Sequence, residues 1–135
     1  MDTLLLSSRE SAFRLQIRRH IDNPSGFCYP GHLFVEDGER LRRIATEDIR
    51  YLKAAGDYTV VYADQGEFVS SSGIGAVEQK LDPSRFMRVH RSFIVNLGRI
   101  DACLRDIGRL YLIMGNGQEI RVGRHYMHRI KSLIL

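Results

Sequence analysis

The residues most capable of chemistry lie in one stretch of the chain, residues 88–96, which reads RVHRSFIVN. Arg88, His90, Arg91 and Ser92 carry donors that pair with phosphate oxygens or with the edges of purine bases. The apolar residues between them are typical of a half-buried β-strand. The stretch therefore predicts a β-strand whose polar side chains are suited to binding a polyanion. A strand with a solvated basic face is the plainer interpretation of an isolated run of this kind.

The charge distribution favours a polyanion as partner. The chain has 135 residues and a formal charge of +4, and arginine supplies 17 of its 20 basic residues. Ten basic residues stand against three acidic ones over 85–131, so this segment carries +7 and the remainder −3. Such an asymmetry is the electrostatic footprint expected of a nucleic-acid-binding domain.

The spacing of the cysteines and the length of the apolar stretches indicate in which cellular compartment the protein works. Cys28 and Cys103 lie 75 positions apart, which is neither a metal-binding spacing nor a disulfide framework. Cys103 stands between apolar neighbours, so we expect a buried free thiol there. No stretch approaches the roughly twenty apolar residues of a membrane span, and the leucine run at 4–6 is too short for a secretory signal. We therefore expect a cytoplasmic protein without membrane insertion.

Turn and periodicity signals divide the chain into two parts, 1–31 and 32–135. An N-terminal helix is predicted over 8–21, because Phe13, Ile17 and Ile21 recur at every fourth position. Proline and glycine residues then predict a linker that ends near position 31.

The second part has the pattern of a mainly β domain. Strands are predicted at 33–35, 41–44, 49–53, 58–63, 67–70, 87–90, 93–96, 100–104, 110–114 and 119–122. Asp37-Gly38 is a strong two-residue hairpin signal between the first two. Two brief helices are predicted at 74–81 and 125–134. This succession excludes a doubly wound α/β fold and a helical bundle.

The basic stretch and several separated motifs resemble the LytTR DNA-binding domain family. The residues that carry the resemblance are 86–97 followed by Ile100, 49–54, 56–58, Asn116-Gly117, Ile120 and 122–126, so that it covers roughly 32–135. Several motifs in the right order are more specific than a lone pattern. The resemblance implies an elongated arrangement of about ten short strands in small antiparallel sheets. Loops of this scaffold would read successive major grooves of DNA.

The resemblance also implies roles for individual residues. Positions that contact bases in the family fall on Arg91, Arg124, Tyr58 and Asp57. Contacts to phosphates are expected from Arg88, His90, Ser92, Lys53, Arg121 and His125. Arginine suits guanine, because it can bind O6 and N7 together. Plainer alternatives are a strand histidine satisfied by the backbone at position 90 and a tyrosine packed at a strand end at position 58. Asn96 is expected to bond to a turn.

Function and partners follow from the resemblance. The family occurs mainly in bacterial transcription regulators, is often attached to a phospho-acceptor receiver domain, and tends to bind paired direct repeats. We therefore expect a sequence-specific regulator of two-component-like signalling that binds double-stranded DNA, with a homodimer on DNA and a regulatory protein as further partners and no cofactor. The 31 residues before the domain are too few for a receiver. A free-standing regulator and a fragment of a longer protein both remain open.

Two positions depart from the family pattern. Gly123 stands where a serine commonly precedes the arginine that corresponds to Arg124, which removes a hydroxyl donor and loosens the backbone. Lys53 stands where an acid is frequent, and it adds positive charge.

An enzyme is the first alternative to a DNA-binding protein. The sequence offers no recognisable catalytic motif, so we expect no enzyme. Cys28 and His32 are close only within a linker, and His125 and His128 lack a third metal ligand at suitable spacing. The glycines at 73–75 lack the lysine of a phosphate-binding loop.

The second rival is a protein–protein interaction module of a signalling protein, whose basic surface binds nucleic acid only nonspecifically. The stripe of Phe13, Ile17 and Ile21 packs either on the β core or on a second copy of the chain. Salt separates the two classes, because phosphate-dominated binding weakens steeply with ionic strength whereas an apolar interface does not.

Overall fold

The computed structural model describes residues 28–135, and its first element is a β-hairpin. Strand β1 (His32–Asp37) pairs antiparallel with β2 (Arg40–Ala45) along the full length of both strands. Gly38 closes the turn with a φ of +66°, a conformation that favours glycine. The hairpin predicted from Asp37-Gly38 is thus confirmed. The predicted helix at 8–21 lies outside the described residues.

A five-stranded antiparallel sheet follows. Its strands are β3 (Ile49–Ala55), β4 (Tyr58–Ala63), β5 (Gly66–Ser70), β6 (Phe86–His90) and β7 (Phe93–Asn96). Their spatial order is β5-β4-β3-β7-β6, so that β3 and β7 lie inside the sheet. Lys53 lies opposite Phe93 where β3 finishes and β7 begins. This pairing brings two turns that are distant in sequence to one end of the sheet.

A second, three-stranded antiparallel sheet completes the β structure. It consists of β8 (Ile100–Asp106), β9 (Arg109–Met114) and β10 (Glu119–Arg121), in the order β10-β9-β8. Residues 28–135 therefore contain ten strands in small antiparallel sheets, which confirms the predicted mainly β fold class.

The helical segments of the described part are short. They are α1 (Ile74–Glu78), α2 (Met127–Lys131) and the 3₁₀ turns η1 (Thr46–Asp48), η2 (Leu97–Arg99) and η3 (Arg124–Tyr126). Both predicted helices are present but shorter than expected. After α1 the N–H of Leu81 donates to the carbonyl of Glu78 at 3.1 Å, three residues back, so the chain tightens into a 3₁₀-type turn. Pro83 then prevents further helix.

The two faces of the central sheet cover separate cores. One core joins the hairpin, the sheet and α1, and its buried residues are Val35, Ile44, Ile49, Leu52, Val61, Ala63, Phe68, Ile74, Val77, Leu81, Phe86 and Ile94. The other joins the sheet to β9, β10 and α2, through Tyr51, Val89, Val95, Leu110, Leu112, Met114, Ile120, Val122 and Ile130. Neighbours such as Ile94 and Val95 serve opposite cores because side chains alternate along a strand. β7 is therefore fixed from both sides.

The predictions for the side chains of Asn96 and Cys103 have different outcomes. Asn96 is buried, donates through Nδ2 to the carbonyl of Ile49 at 2.8 Å and accepts from the N–H of Gly98 at 3.0 Å, which confirms its turn-bonding role. The buried thiol predicted at Cys103 is wrong, because Cys103 is exposed. It lies on β8, an edge strand of the three-stranded sheet that is exposed over most of its length.

Candidate nucleic-acid interface

Two of the loops predicted to read DNA lie side by side at one end of the central sheet. The β3–β4 turn carries Asp57, and the β6–β7 turn carries Arg91. The N–H of Ala54 donates to the carbonyl of Ser92 at 2.8 Å, so β3 remains bonded to the second turn up to its own end. The long-range pairing of β3 with β7 thus places the two turns together.

The third loop joins them through β6. It leaves β10 and enters η3, which begins with Arg124. The N–H of Gly123 donates to the carbonyl of Val89 at 2.7 Å, one residue before the end of β6. Arg124 and Arg91 therefore follow two backbone segments that are bonded to each other.

The candidate residues differ in exposure. All four base-contacting candidates are exposed, namely Asp57, Tyr58, Arg91 and Arg124. Among the phosphate-contacting candidates, Lys53, Arg121 and His125 are exposed, whereas Arg88, His90 and Ser92 are half-buried. Tyr58 keeps 54% of its residue surface accessible, which argues against the alternative of a tyrosine packed at a strand end.

The turn that carries Arg91 is held by its neighbours. The register between β6 and β7 shifts between Arg88 and His90, which makes room for the turn. His90 Nδ1 then accepts a hydrogen bond from the N–H of Ser92 at 3.1 Å. Arg91 is thus the exposed residue between two residues that are bonded to each other.

The surroundings of His90 favour its neutral form over the cation. Burial lowers the pKa of His90, and the positive charges of Arg91, Arg121 and Arg88 lower it further. Because Nδ1 accepts from the backbone, the proton of the neutral ring lies on Nε2. The plainer alternative, a histidine whose hydrogen bonding is satisfied by the backbone, thus applies to Nδ1 alone. The Nε2–H is a donor suited to a phosphate oxygen.

Close packing explains the glycine before Arg124. The backbone of Gly123 is extended, with φ −69° and ψ 150°, so its conformation does not require glycine. A Cβ there would lie 3.2 Å from Tyr126 Cδ2 and 3.4 Å from both Cα and Cδ2 of His90. The departure from the family serine therefore goes with a close approach of this loop to β6.

Lys53 lies beside the same turns. Its Nζ is 5.8 Å from the centroid of the ring of Phe93, a cation–π contact at the first residue of β7. The side chain is exposed, so the ammonium group can still reach an anion.

Arg88 differs from the other cationic candidates because its guanidinium is turned into the protein. Only 17% of its side chain is exposed, and it forms an ion pair with Glu78 at 3.0 Å. Its Nε and Nη2 donate to the carbonyls of His90 and Arg91. The nitrogens expected to meet a phosphate thus have protein acceptors.

Sequence reasoning missed two residues that support these loops. Glu78 on α1 binds Arg88, and Arg129 on α2 donates to the carbonyl of Arg88 at 3.3 Å. The guanidinium of Arg129 also lies 5.1 Å from the centroid of the Tyr126 ring. Glu78 and Arg129 stand 10 and 41 positions from Arg88, and no local pattern signals pairing over such distances.

Two further features bear on function, namely metal-ligand clusters and membrane-spanning helices. Within residues 28–135, no three His, Cys, Asp or Glu side chains are arranged to hold a metal ion. None of the helices described is long and apolar enough to cross a membrane.

Comparison with protein families gives one match that covers most of the chain. The family described as the LytTr DNA-binding domain matches residues 39–135. This range includes the three loops described above.

Curated relatives extend beyond the region that they share with this chain. A response regulatory protein of Vibrio cholerae is 31% identical over 107 residues, which are 76% of this chain and 41% of that protein. The CO-responsive transcriptional regulator RcoM of Rhodospirillum rubrum is 32% identical over 72% of this chain and 42% of its own. The sensory transduction protein LytT of Bacillus subtilis is 34% identical over 72% of this chain, which corresponds to 41% of the length of LytT. The chain thus spans about two fifths of their length.

A solved structure has the same fold. It is the LytTr DNA-binding domain of a protein described as a methyl-accepting/DNA response regulator from Bacillus cereus. The similarity has a TM-score of 0.71 and covers 78% of this chain and 97% of that domain, at 25% sequence identity. Sequence and fold agree, and the chain belongs to the LytTr DNA-binding domain family.

Proposed function

We propose that this domain binds double-stranded DNA in a sequence-specific manner, as the DNA-reading part of a bacterial transcription regulator. The observation that carries the proposal is the meeting of three loops at one end of the central sheet, two of them with an exposed arginine. A polyanion that approaches this end meets Arg91 and Arg124 on neighbouring supports. The regulator names of relatives such as RcoM and LytT support the same function.

Base reading falls to the exposed residues of the three loops. Arg91 and Arg124 can each bind guanine O6 and N7 in the major groove, and each good contact gives about 1–3 kcal/mol of discrimination. Asp57 can accept from the amino group of cytosine, and the Tyr58 hydroxyl can donate or accept. Their positions on fixed turns favour recognition, because little side-chain support must form upon binding.

Phosphate contacts hold the domain on the duplex without reading its sequence. Lys53, Arg121 and His125 are exposed around the three loops and can reach phosphate oxygens. His90 can add an Nε2–H donor, and Ser92 a hydroxyl. These contacts predict a steep loss of affinity as the salt concentration rises, because each neutralised phosphate releases counterions.

The arrangement of the target completes the proposal. One domain offers one compact reading end, so a regulator of this kind gains affinity by placing two domains on paired direct repeats as a homodimer on DNA. Half-sites on one face of the duplex lie about one helical turn apart, roughly 34–36 Å. Such a regulator acts in the cytoplasm, with a regulatory protein as a further partner.

The experiment is selection of bound duplexes from a random DNA library by the 135-residue chain at two salt concentrations. An enriched motif, present twice with the expected spacing, is the predicted result. Recovery without any motif, together with binding that disappears at moderate salt, would indicate the alternative of an interaction module with a nonspecific basic surface.

A further inference from the structure

The guanidinium of Arg88 spans the backbone of the turn that carries Arg91. Nε donates to the carbonyl of His90 at 3.2 Å, and Nη2 donates to the carbonyl of Arg91 at 2.5 Å. The planar fork of arginine can serve two successive carbonyls in this way, and a lysine ammonium has no such fixed geometry. One side chain thus fixes the orientation of both peptide groups that flank Arg91.

Glu78 fixes the guanidinium from the opposite side. Its Oε1 lies 3.0 Å from Arg88 Nη1, and the two side chains are only 34% and 17% exposed. Glu78 belongs to α1, whose residues Ile74 and Val77 are buried in the core below the central sheet. The ion pair therefore connects the turn to a packed helix, and it also neutralises most of the charge that Arg88 could offer to DNA.

The main chain of Arg88 connects to the loop of Arg124 as well. Its carbonyl accepts from Arg129 Nη1 at 3.3 Å, and the Arg129 guanidinium lies over the ring of Tyr126. Tyr126 in turn lies against Gly123, the residue before Arg124. Arg88 thus stands between the supports of both loops that carry a base-reading arginine.

From these contacts we infer that Arg88 is a positioning residue that holds the Arg91 turn in its reading conformation, with Glu78 as its anchor. This inference rests on the proposed function, in which Arg91 reads a base. It replaces the expectation that Arg88 contacts a phosphate. The value of Arg88 lies in the geometry of its fork, not in its charge.

Substitution of Glu78 distinguishes the positioning role of Arg88 from a simple attraction between the basic surface and phosphates. If the surface only attracts phosphates, Glu78→Gln removes a repelling acid and strengthens binding to every duplex. If Glu78 anchors Arg88, the same change loosens the turn and weakens binding to the preferred sequence. Arg88→Lys makes the complementary test, because it keeps the charge and removes the fork.

The experiment compares the 135-residue wild-type chain with Arg88→Lys, Glu78→Gln and the control Glu36→Gln, which removes an exposed acid from β1. Amide hydrogen exchange in the DNA-free protein is measured at Ser92, whose N–H bonds to His90, and at Ala54, whose N–H bonds to Ser92. Affinity is measured for the selected duplex and for a random duplex, each over a salt series. Thermal unfolding reports whether each variant is folded.

Both test variants are expected to exchange the two amides several-fold faster than wild type, because the turn opens more often. The ratio of specific to random affinity should fall about tenfold, as for the partial loss of one base contact. The salt slope on random DNA should stay at the wild-type value, and Glu36→Gln should leave the exchange and the ratio unchanged.

Two results would overturn the inference. One is an Arg88→Lys variant with wild-type exchange and wild-type specificity, since charge alone would then suffice. The other is a Glu78→Gln variant that binds all DNA more tightly without a change in exchange. If Arg88→Lys fails to fold, Glu78→Gln decides the question. If wild type selects no motif, the proposed function fails, while the exchange rates still decide whether Arg88 holds the turn.

Discussion

The N–H of Gly123 donates to the carbonyl of Val89 at 2.7 Å, and this bond joins the loop before Arg124 to the strand before Arg91. Val89 is fully buried, so the acceptor end of the bond is fixed by the core. The two arginines proposed to read bases thus depend on one shared piece of backbone. A change that moves this contact is expected to disturb both of them.

Substitution of Gly123 tests how close this approach is. Gly123→Ala should lower the free energy of unfolding by about 1 kcal/mol, because the new methyl group meets Tyr126 and His90 at 3.2–3.4 Å and forces a shift. The control is Gly75→Ala in α1, where a Cβ meets nothing within 4 Å. That variant should gain roughly 0.5–1 kcal/mol from helix propensity. Urea unfolding measures both, and equal stabilisation of the two variants would show that the loop is not tightly packed.

Acid should weaken the fold through His90. Its pKa is lowered from 6.5, first by burial and then by the nearby arginines, so the unfolded chain binds the proton more readily. The stability that neutral His90 provides is complete above its ordinary pKa and is lost as the pH falls through the lower pKa of the folded state. His90→Asn, which keeps an acceptor for Ser92, should unfold with a weaker pH dependence than wild type. His128→Asn, at an exposed histidine, is the control, and identical pH profiles for all three proteins would contradict this origin.

Arg121 should act through phosphate alone. Its side chain is exposed on β10, next to the reading end. Arg121→Ala is expected to weaken binding to all duplexes alike and to reduce the slope of log K against log salt by about one. Titrations of the selected and random duplexes over a salt series measure this. A change in sequence preference with an unaltered slope would assign Arg121 to a base instead.

Arg124 should read one base. Arg124→Ala is expected to lose about 1–3 kcal/mol on the selected duplex and to relax the preference at a single position of the motif. Repeated library selection with the variant identifies that position. Arg91→Ala should relax a different position, and relaxation at the same one would mean that the two loops do not read separately.

Much of the β structure was predictable, because its signals are local. Asp37-Gly38 marks a hairpin where it joins two apolar runs, and the strand around Phe93 is visible from its β-branched and aromatic residues. The exposure of Cys103 was not predictable, since nothing in the sequence of β8 indicates that it forms the edge of a small sheet. The helix after Gly73 was predicted too long, because the 3₁₀-type turn at its end follows from chain geometry and not from the apolar stripe.

The candidate site was predictable in its exposed residues and not in its supports. Arg91 and Arg124 stand in motifs that resemble those of the family, and both are exposed. The partners of Arg88 are tertiary contacts with Glu78 and Arg129, which depend on how two helices pack against β6. A pattern along the chain assigns an arginine to a basic surface, and only the fold distinguishes a free guanidinium from one that is held by protein acceptors.

The most direct test of base reading is the affinity of Arg91→Ala for the selected duplex and for a random duplex at the same salt concentration. We predict a loss of about 1–3 kcal/mol on the selected duplex and almost none on the random one. Arg105→Ala, which removes an exposed arginine from β8, should leave the ratio of the two affinities unchanged. Equal losses on both duplexes for Arg91→Ala would contradict the proposal and reduce Arg91 to a phosphate contact.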